Sequence, residues 1–370
     1  MELRILLIDD EPDSIEPLLA EIGAALPGAQ LKAVAFENAE AEFGTFDPHV
    51  IVLDLIAGTG AEGEEVGTGI RDRIWRRRFC PLVCYTARSE AADPGGLWNH
   101  PFVKVVKKGS GSEQEALACI KSYEPHITAL HSVDKEIKWA MNCVLQEVAP
   151  IIFAGTSPTE VQEVLVRSAR RRIAAKMDET LSGGGTLKSW EFYLVPASGQ
   201  CPLTGDILRR RGGKWEDPAA HRVILSPSCD MVTGGTRKAK IGSALVACCK
   251  DVGRLVSDIG LAGIAKWGEE HRSKLIATLH QGHTQSCVPL PAYPGVLPAM
   301  VADLRALDLL PLDQVGEGPC EFARVASVDS PLRELFAWAY MLCAARPGLP
   351  ERDFDSWANE VIGCLAAAKG

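Results

Sequence analysis

The first 124 residues are the most constraining stretch of this 370-residue chain. Five short apolar runs alternate there with amphipathic stretches: LRILLI (3–8), LKAVAF (31–36), VIVLDL (50–55), PLVCYTA (81–87) and FVKVVKK (102–108). Runs this continuous suit strands covered on both faces, and hence a parallel sheet with helical crossovers. Five strands and the helices between them predict an α/β, doubly wound, flavodoxin-like sheet. The final crossover is expected to start at SEQE (112–115), where Ser112 and Glu115 have capping-box spacing.

In such a sheet, functional groups gather beyond the carboxyl ends of the strands. The first run ends in Asp9 and Asp10, the third in Asp54, the fourth in Thr86 and Ala87, and the fifth in Lys107 and Lys108. Adjacent carboxylates repel by ~4 kcal/mol at a surface-like dielectric, so a cation is expected to offset them.

Taken together, LLIDDEP, VIVLDL, YTA and KKGS, in this order on these strand ends, resemble the receiver domain of two-component response regulators. The resemblance covers about a third of the chain. It implies that Asp54 accepts a phosphoryl group from a histidine kinase. It also implies that Asp9, Asp10, Asp54 and the backbone carbonyl of Ile56 hold Mg²⁺, which favours oxygen ligands. Thr86 would hydrogen-bond the new phosphoryl group, with Ala87 beside it at the switch, and a lysine would add a second positive charge. The family pattern, with its lysine just before Pro or Gly, favours Lys108 over Lys107; neighbouring strand residues face opposite sides, so the two are real alternatives. Two departures stand out. The segment after Asp54, LIAGTGAEGEEVGTGIRDRI, is longer and richer in Gly than usual and lacks the usual Pro. The switch aromatic of the fifth strand is replaced by Val105, or by Lys104 if Lys107 is the active lysine.

Beyond residue 125 the texture changes twice. Pro125 is expected to close the receiver, giving domains at 1–125, 126–185 and 186–370. In the second, Leu130, Val133, Ile137, Ala140 and Val144 recur at helical spacing from near Ser132. SPTE (157–160) then marks a second helix start, and GGG (183–185) its end. This helical hairpin either packs on its neighbours or joins two copies into a homodimer.

From Trp190, short β-prone runs (EFYLVPA, HRVILSP, SALVACC, CVPLPAY) predict a mixed, mostly β and barrel-like effector domain with a helical tail from Pro331. Its most singular stretch, VILSPSCDMV, places Cys229 and Asp230 at a strand end or turn. LHQGHTQSC follows with His280, His283 and Cys287. A Cys229–imidazole pair oriented by Asp230 would make a nucleophile and hence a receiver-gated hydrolase, nuclease or toxin. The same residues could bind Zn²⁺. The plain alternative is a structural cysteine beside a turn.

The net charge of -9 gives no general field for nucleic acid. Arg170 to Arg172 and Arg209 to Arg211 form local basic clusters, read mainly as solvated faces and otherwise as a polyanion surface. No helix-turn-helix pattern with a basic recognition helix is present, which makes a DNA-binding regulator the lesser alternative. The first apolar run is too short for a signal segment, and no run of about 20 apolar residues is present, so a cytoplasmic protein without membrane partners is expected. The 12 Cys accordingly read as reduced thiols.

Overall fold

The computed structural model describes residues 2–56, 61–87, 100–180, 186–234, 236–316, 318–345 and 353–367. It divides into two compact units, Met1–Gly185 and Thr186–Gly370.

The first unit is built on β1 (Arg4–Ile8), β2 (Gln30–Val34), β3 (Val50–Leu53), β4 (Leu82–Thr86) and β5 (Val103–Lys107). All pairs are parallel, in the order β2-β1-β3-β4-β5. Helices α1 (Glu16–Ala25), α2 (Ala39–Phe46) and α3 (Ala61–Arg77) make the first three crossovers, and α4 (Ser112–Gly155) follows β5. Strand alternation sends Ile5, Leu7, Val52, Val83 and Val106 to one core with Leu18, Ile22, Ile120 and Tyr123. Leu6, Ile8, Ile51, Leu53 and Leu82 go to the other core, with Phe43, Ile70 and Ile74. Both faces are covered, as the continuous apolar runs require.

Three local expectations are revised. Helix α4 does not end at Pro125 but runs through it for 44 residues, about 66 Å of helix. Proline in a helix interior costs ~3 kcal/mol. Packing on both sides opposes that cost: Tyr123 and Ile127 are buried in the receiver core, and the Tyr123 hydroxyl donates to Leu82 O at 3.1 Å. Ser112 is the first helical residue, with Gly111 at the N-cap; its hydroxyl shares a 2.7 Å hydrogen bond with the Tyr85 hydroxyl instead of closing a capping box. Finally, most of the Gly-rich segment after Asp54 is helix α3 rather than loop; residues 57–60 lie outside the described residues.

Helix α5 (Val161–Thr180) lies against the distal half of α4. Val144, Val148 and Ile152 meet Val161, Leu165, Ala169 and Ile173. The SPTE turn precedes the helix, with the Ser157 hydroxyl donating to the Glu160 carboxylate at 2.7 Å. The GGG stop and Leu181 lie outside the described residues.

The second unit is a seven-stranded sheet of antiparallel pairs, in the order β10-β11-β9-β8-β7-β12-β6. Its strands are β6 (Tyr193–Leu194), β7 (Asp206–Arg210), β8 (His221–Ile224), β9 (Ser243–Lys250), β10 (Cys287–Leu290), β11 (Met300–Pro311) and β12 (Phe322–Val328). Its helices are α6 (Ser228–Met231), α7 (Gly253–Asp258), α8 (Glu269–Gln281), α9 (Leu332–Ala344) and α10 (Phe354–Ala367). The two edge strands do not pair, yet the Tyr193 hydroxyl beside one edge donates to Pro291 O beside the other at 2.8 Å. The sheet therefore curls around Ile207, Val223, Ala247, Val288, Ala302 and Ala326, and Phe336 of α9 joins that core. EFYLVPA supplies only a two-residue strand after a 3₁₀ turn.

Candidate phosphoacceptor site at the carboxyl edge of the parallel sheet

Neighbouring parallel strands end on the same edge, so residues far apart in sequence meet there. β1 delivers Asp9 and Asp10, and β3 delivers Asp54. Carboxylate oxygens of these three residues lie within 4.8 Å of one another. Asp9 and Asp54 are buried.

Lys108, just past β5, spans the two buried acids. Its Nζ lies 2.8 Å from Asp9 Oδ2 and 2.5 Å from Asp54 Oδ2. Burial lowers the lysine pKa, but the hydrogen bonds and charges of Asp54 and Asp9 outweigh it and leave the pKa above its ordinary value. The ammonium thus supplies the positive charge that the carboxylate cluster needs. It also stands 5.6 Å from the centre of the Tyr85 ring. Lys107 is exposed and opposite Thr86 in the strand register, so Lys108 is the lysine that the fold brings to the acids.

The remaining carboxylate oxygens are held by donors from their own loops. Asp9 Oδ1 accepts from Glu11 N at 3.0 Å and from the Ser14 hydroxyl at 3.3 Å. Asp54 Oδ1 accepts from Ile56 N at 3.1 Å. Thr86 is fully buried at the end of β4, where its carbonyl accepts from Lys108 N at 2.8 Å; Ala87 follows it, exposed.

Ser14, Tyr85 and Gly67 belong to this environment without having been picked out in sequence. Gly67 had a usable signal, its place in the Gly-rich segment. A Cβ there would stand 2.5 Å from Leu55 Cα and 2.8 Å from Asp54 O. Only glycine lets α3 approach the strand end this closely.

The donor set fits Mg²⁺: three carboxylates converge, and every strong ligand is a hard oxygen. Asp9, Asp10 and Asp54 would hold the ion, with the Ile56 carbonyl as a further ligand.

The residues expected to form a second site in the effector unit are dispersed. The Cys229 thiol is exposed and meets the Asp230 carboxylate at 3.6 Å. Asp230 pairs with Lys240 at 3.0 Å, which holds its carboxyl below the usual range, and orients no imidazole. His280 is exposed on α8. His283 is buried, with Nδ1 2.9 Å from Thr284 O and its ring against Trp338. Cys287 is buried on β10, where burial raises its thiol pKa. Among the described residues, the acids of the receiver edge are the one group of three or more potential metal ligands. The expected nucleophile and zinc assemblies are therefore corrected: β9 and β11 stand between β8 and β10, so roughly 14 Å of sheet separates the strands that carry the two motifs.

Three of the six arginines in the basic clusters are engaged. Arg172 pairs with Glu147 at 2.8 Å, Arg210 with Glu321 at 3.2 Å, and Arg211 donates to Cys320 O at 2.6 Å. No described helix is long and apolar enough to cross a membrane.

The N-terminal unit has the doubly wound, flavodoxin-like strand order 2-1-3-4-5. Among solved structures, a two component transcriptional regulator AraC from Clostridium phytofermentans ISDg matches 36% of this chain and 99% of its own, at 20% identity and a TM-score of 0.28. The response regulator PhyR from Brucella abortus matches 36% of this chain and 54% of its own, at 19% identity and a TM-score of 0.28. The RcsB response regulator of Salmonella typhimurium matches 50% of this chain and 92% of its own, at 16% identity and a TM-score of 0.26. No family model and no curated protein matches the chain. The flavodoxin-like fold is read from the strand order β2-β1-β3-β4-β5.

Proposed function

We propose that the chain is a two-component response regulator whose receiver is phosphorylated on Asp54 and controls the effector unit. The observation that carries this reading is the convergence of Asp9, Asp10, Asp54 and Lys108 at one strand edge. An Asp carboxylate is a competent covalent phosphoryl acceptor. One Asp54 oxygen attacks the phosphorus of a phosphohistidine on the kinase; the new O–P bond forms as the P–N bond breaks, and the imidazole regains a proton. Bound Mg²⁺ would neutralise charge on the transferring oxygens. Lys108 then exchanges part of its contact with Asp54 for the phosphoryl group. Thr86 donates its hydroxyl to that group. The added charge, about -2 near neutral pH, draws Thr86 inward and shifts the β4 end.

This switch has a direct mechanical route to the distal helices. Tyr85, next to Thr86, bonds Ser112 at the start of α4, and α4 continues unbroken into the hairpin. That hairpin exposes Val133, Ile137, Met141, Ile151 and Phe153, an apolar surface suited to a homodimer between hairpins. The histidine kinase partner and a cytoplasmic location follow from the same reading.

The decisive experiment adds acetyl phosphate or BeF₃⁻ with Mg²⁺ to the full chain. The wild type is expected to be modified, or to shift in conformation, and Asp54→Ala to be silent. An unmodified and unshifted wild type, or a response of Asp54→Ala equal to that of wild type, would sink the proposal. Sedimentation of both states tests the dimer: a monomer under all conditions removes that part.

A further inference from the structure

The effector unit carries two uncovered apolar surfaces of matching form. The first is a groove of about 830 Å³. Leu290 and Met300 line it from the sheet, Leu255 from α7, Leu275 and Leu279 from α8, and Leu335 from α9. Leu279 is about half exposed, as are Val252 and Trp267, which also line the groove. An apolar trough of this size invites a partner.

The second surface is α10. Phe354, Trp357, Val361, Ile362 and Leu365 are 48–63% exposed, and no described side chain of the helix is buried. Their spacing of i, i+3, i+7, i+8 and i+11 gathers them on one face. Ser356, Asn359, Glu360 and Gly363 fall opposite. This is the pattern of a helix that lays an apolar face into a groove.

Helix α9 links the two surfaces. One face of α9, with Phe336 and Ala339, is buried in the β core. Beside it, Leu335, Trp338 and Leu342 follow at i, i+3 and i+7, forming a stripe that starts at the groove wall. Trp338 and Leu342 are exposed. Nine residues, 345–353, lie between the end of α9 and the start of α10. That is one more than the two to eight residues usual between antiparallel helices, and nine residues can span up to about 30 Å, enough for α10 to turn back along α9. The 13 residues of α9 and 14 of α10 make helices of nearly equal length, about 20 Å each.

We propose that α10 is the occupant of this groove in its own chain. It folds back antiparallel along the Leu335–Trp338–Leu342 stripe. Phe354 and Trp357 then meet Trp338 and Leu342, while Val361, Ile362 and Leu365 enter the groove beside Leu335 and Leu279. The effector groove is thus masked by the chain's own C-terminal helix and opens only when that helix leaves. This proposal is independent of the receiver reading.

Cysteine cross-linking in the full chain tests it. Cys364 is exposed on the edge of the α10 apolar face, and Leu279→Cys places a partner thiol on the groove rim. At low protein concentration, a short bis-maleimide should join that introduced thiol to Cys364 within one chain, as mapped by mass spectrometry. Trp357→Asp with Ile362→Asp should cut that product several-fold. These side chains are exposed, so the changes leave the β core intact. Absence of the product would overturn the proposal. So would a product found only between chains and rising with concentration, which would make a second copy the occupant. A second reading uses anilinonaphthalene sulfonate fluorescence. A chain ending at residue 352, or the Trp357→Asp, Ile362→Asp chain, should bind several-fold more dye than wild type. Equal binding by all three would mean that the groove is open in the intact chain and would overturn the proposal.

Discussion

The parallel and antiparallel sheets treat their strand-end polar residues differently. In the receiver unit, Asp9, Asp54 and Lys108 come from three strands and meet within hydrogen-bonding distance. In the effector unit, Cys229 and the His280–His283 pair also flank strands, yet they do not assemble. Parallel strands all run the same way, so each carboxyl end adds to the same edge. An antiparallel sheet alternates its ends, and here β9 and β11 stand between β8 and β10. Convergence does occur in the effector unit, but it is structural. Asp206 of β7 meets Arg324 of β12 at 2.7 Å and Ser327 at 2.6 Å, with both ion-pair partners buried. Those contacts hold a strand pair together.

The largest expected effect tests that structural reading. Asp206→Ala leaves Arg324 buried without its counter-charge and should cost about 3–5 kcal/mol in urea unfolding. A loss below about 1 kcal/mol, within the range of exposed pairs, would break the contrast. Next, Lys108→Ala should slow Asp54 phosphorylation on the order of 100-fold, the usual consequence of losing a charge-stabilising donor. Lys107→Ala should match wild type in the same acetyl phosphate assay; equal losses would show that the strand edge does not discriminate between them.

Two smaller effects probe receiver packing. Gly67→Ala forces a methyl against Leu55 and Asp54, and overpacking of this kind costs about 1–3 kcal/mol. Phosphorylation should slow with it, since the clash lies at the acceptor strand; unchanged stability and rate would remove the close-approach argument. His49 adds a pH dependence. Its Nδ1 accepts from Arg4 N at 3.1 Å. Burial, with Arg4, His131 and Arg78 nearby, lowers its pKa from 6.5 to about 4. A histidine kept neutral by the fold adds stability above its unfolded pKa, and that stability is lost as pH falls from about 6.5 toward 4. Between pH 7 and pH 5 the loss should be on the order of 1–2 kcal/mol. His49→Gln should flatten that slope in paired denaturation curves. The smallest effect belongs to Cys229→Ser: an exposed thiol outside any assembled site should change stability by no more than about 0.5 kcal/mol. A larger loss, or loss of a cellular output, would show that the residue has a role its dispersed neighbours do not reveal.

Legibility in the sequence followed the same division. All five receiver strands stood out because double-sided burial makes each one a continuous apolar run. In the effector unit, HRVILSP, SALVACC and CVPLPAY marked β8, β9 and β10. The strand DILRR (β7) was hidden by its charges: Asp206 is buried against Arg324, and Arg210 reaches water at the strand end. FARVASV (β12) was diluted by small residues and by Arg324, whose charge is neutralised only by a partner on another strand. The break at Pro125 was misread because local propensity counts the missing hydrogen bond but not the packing of Tyr123 and Ile127 on the sheet.

By itself, the sequence determined the receiver half: strand number, the acids on the strand ends, and a lysine pair just beyond the fifth strand. These follow from short-range rules, a period of two along strands and a shared edge in parallel sheets. Tertiary structure alone decided that Lys108 reaches both buried carboxylates, that α4 continues for 44 residues, and that Cys229 and His283 stand apart. It also revealed an apolar groove and an uncovered helix in the same unit. Those outcomes depend on strand order and on burial by distant residues, energies that no local window of sequence contains.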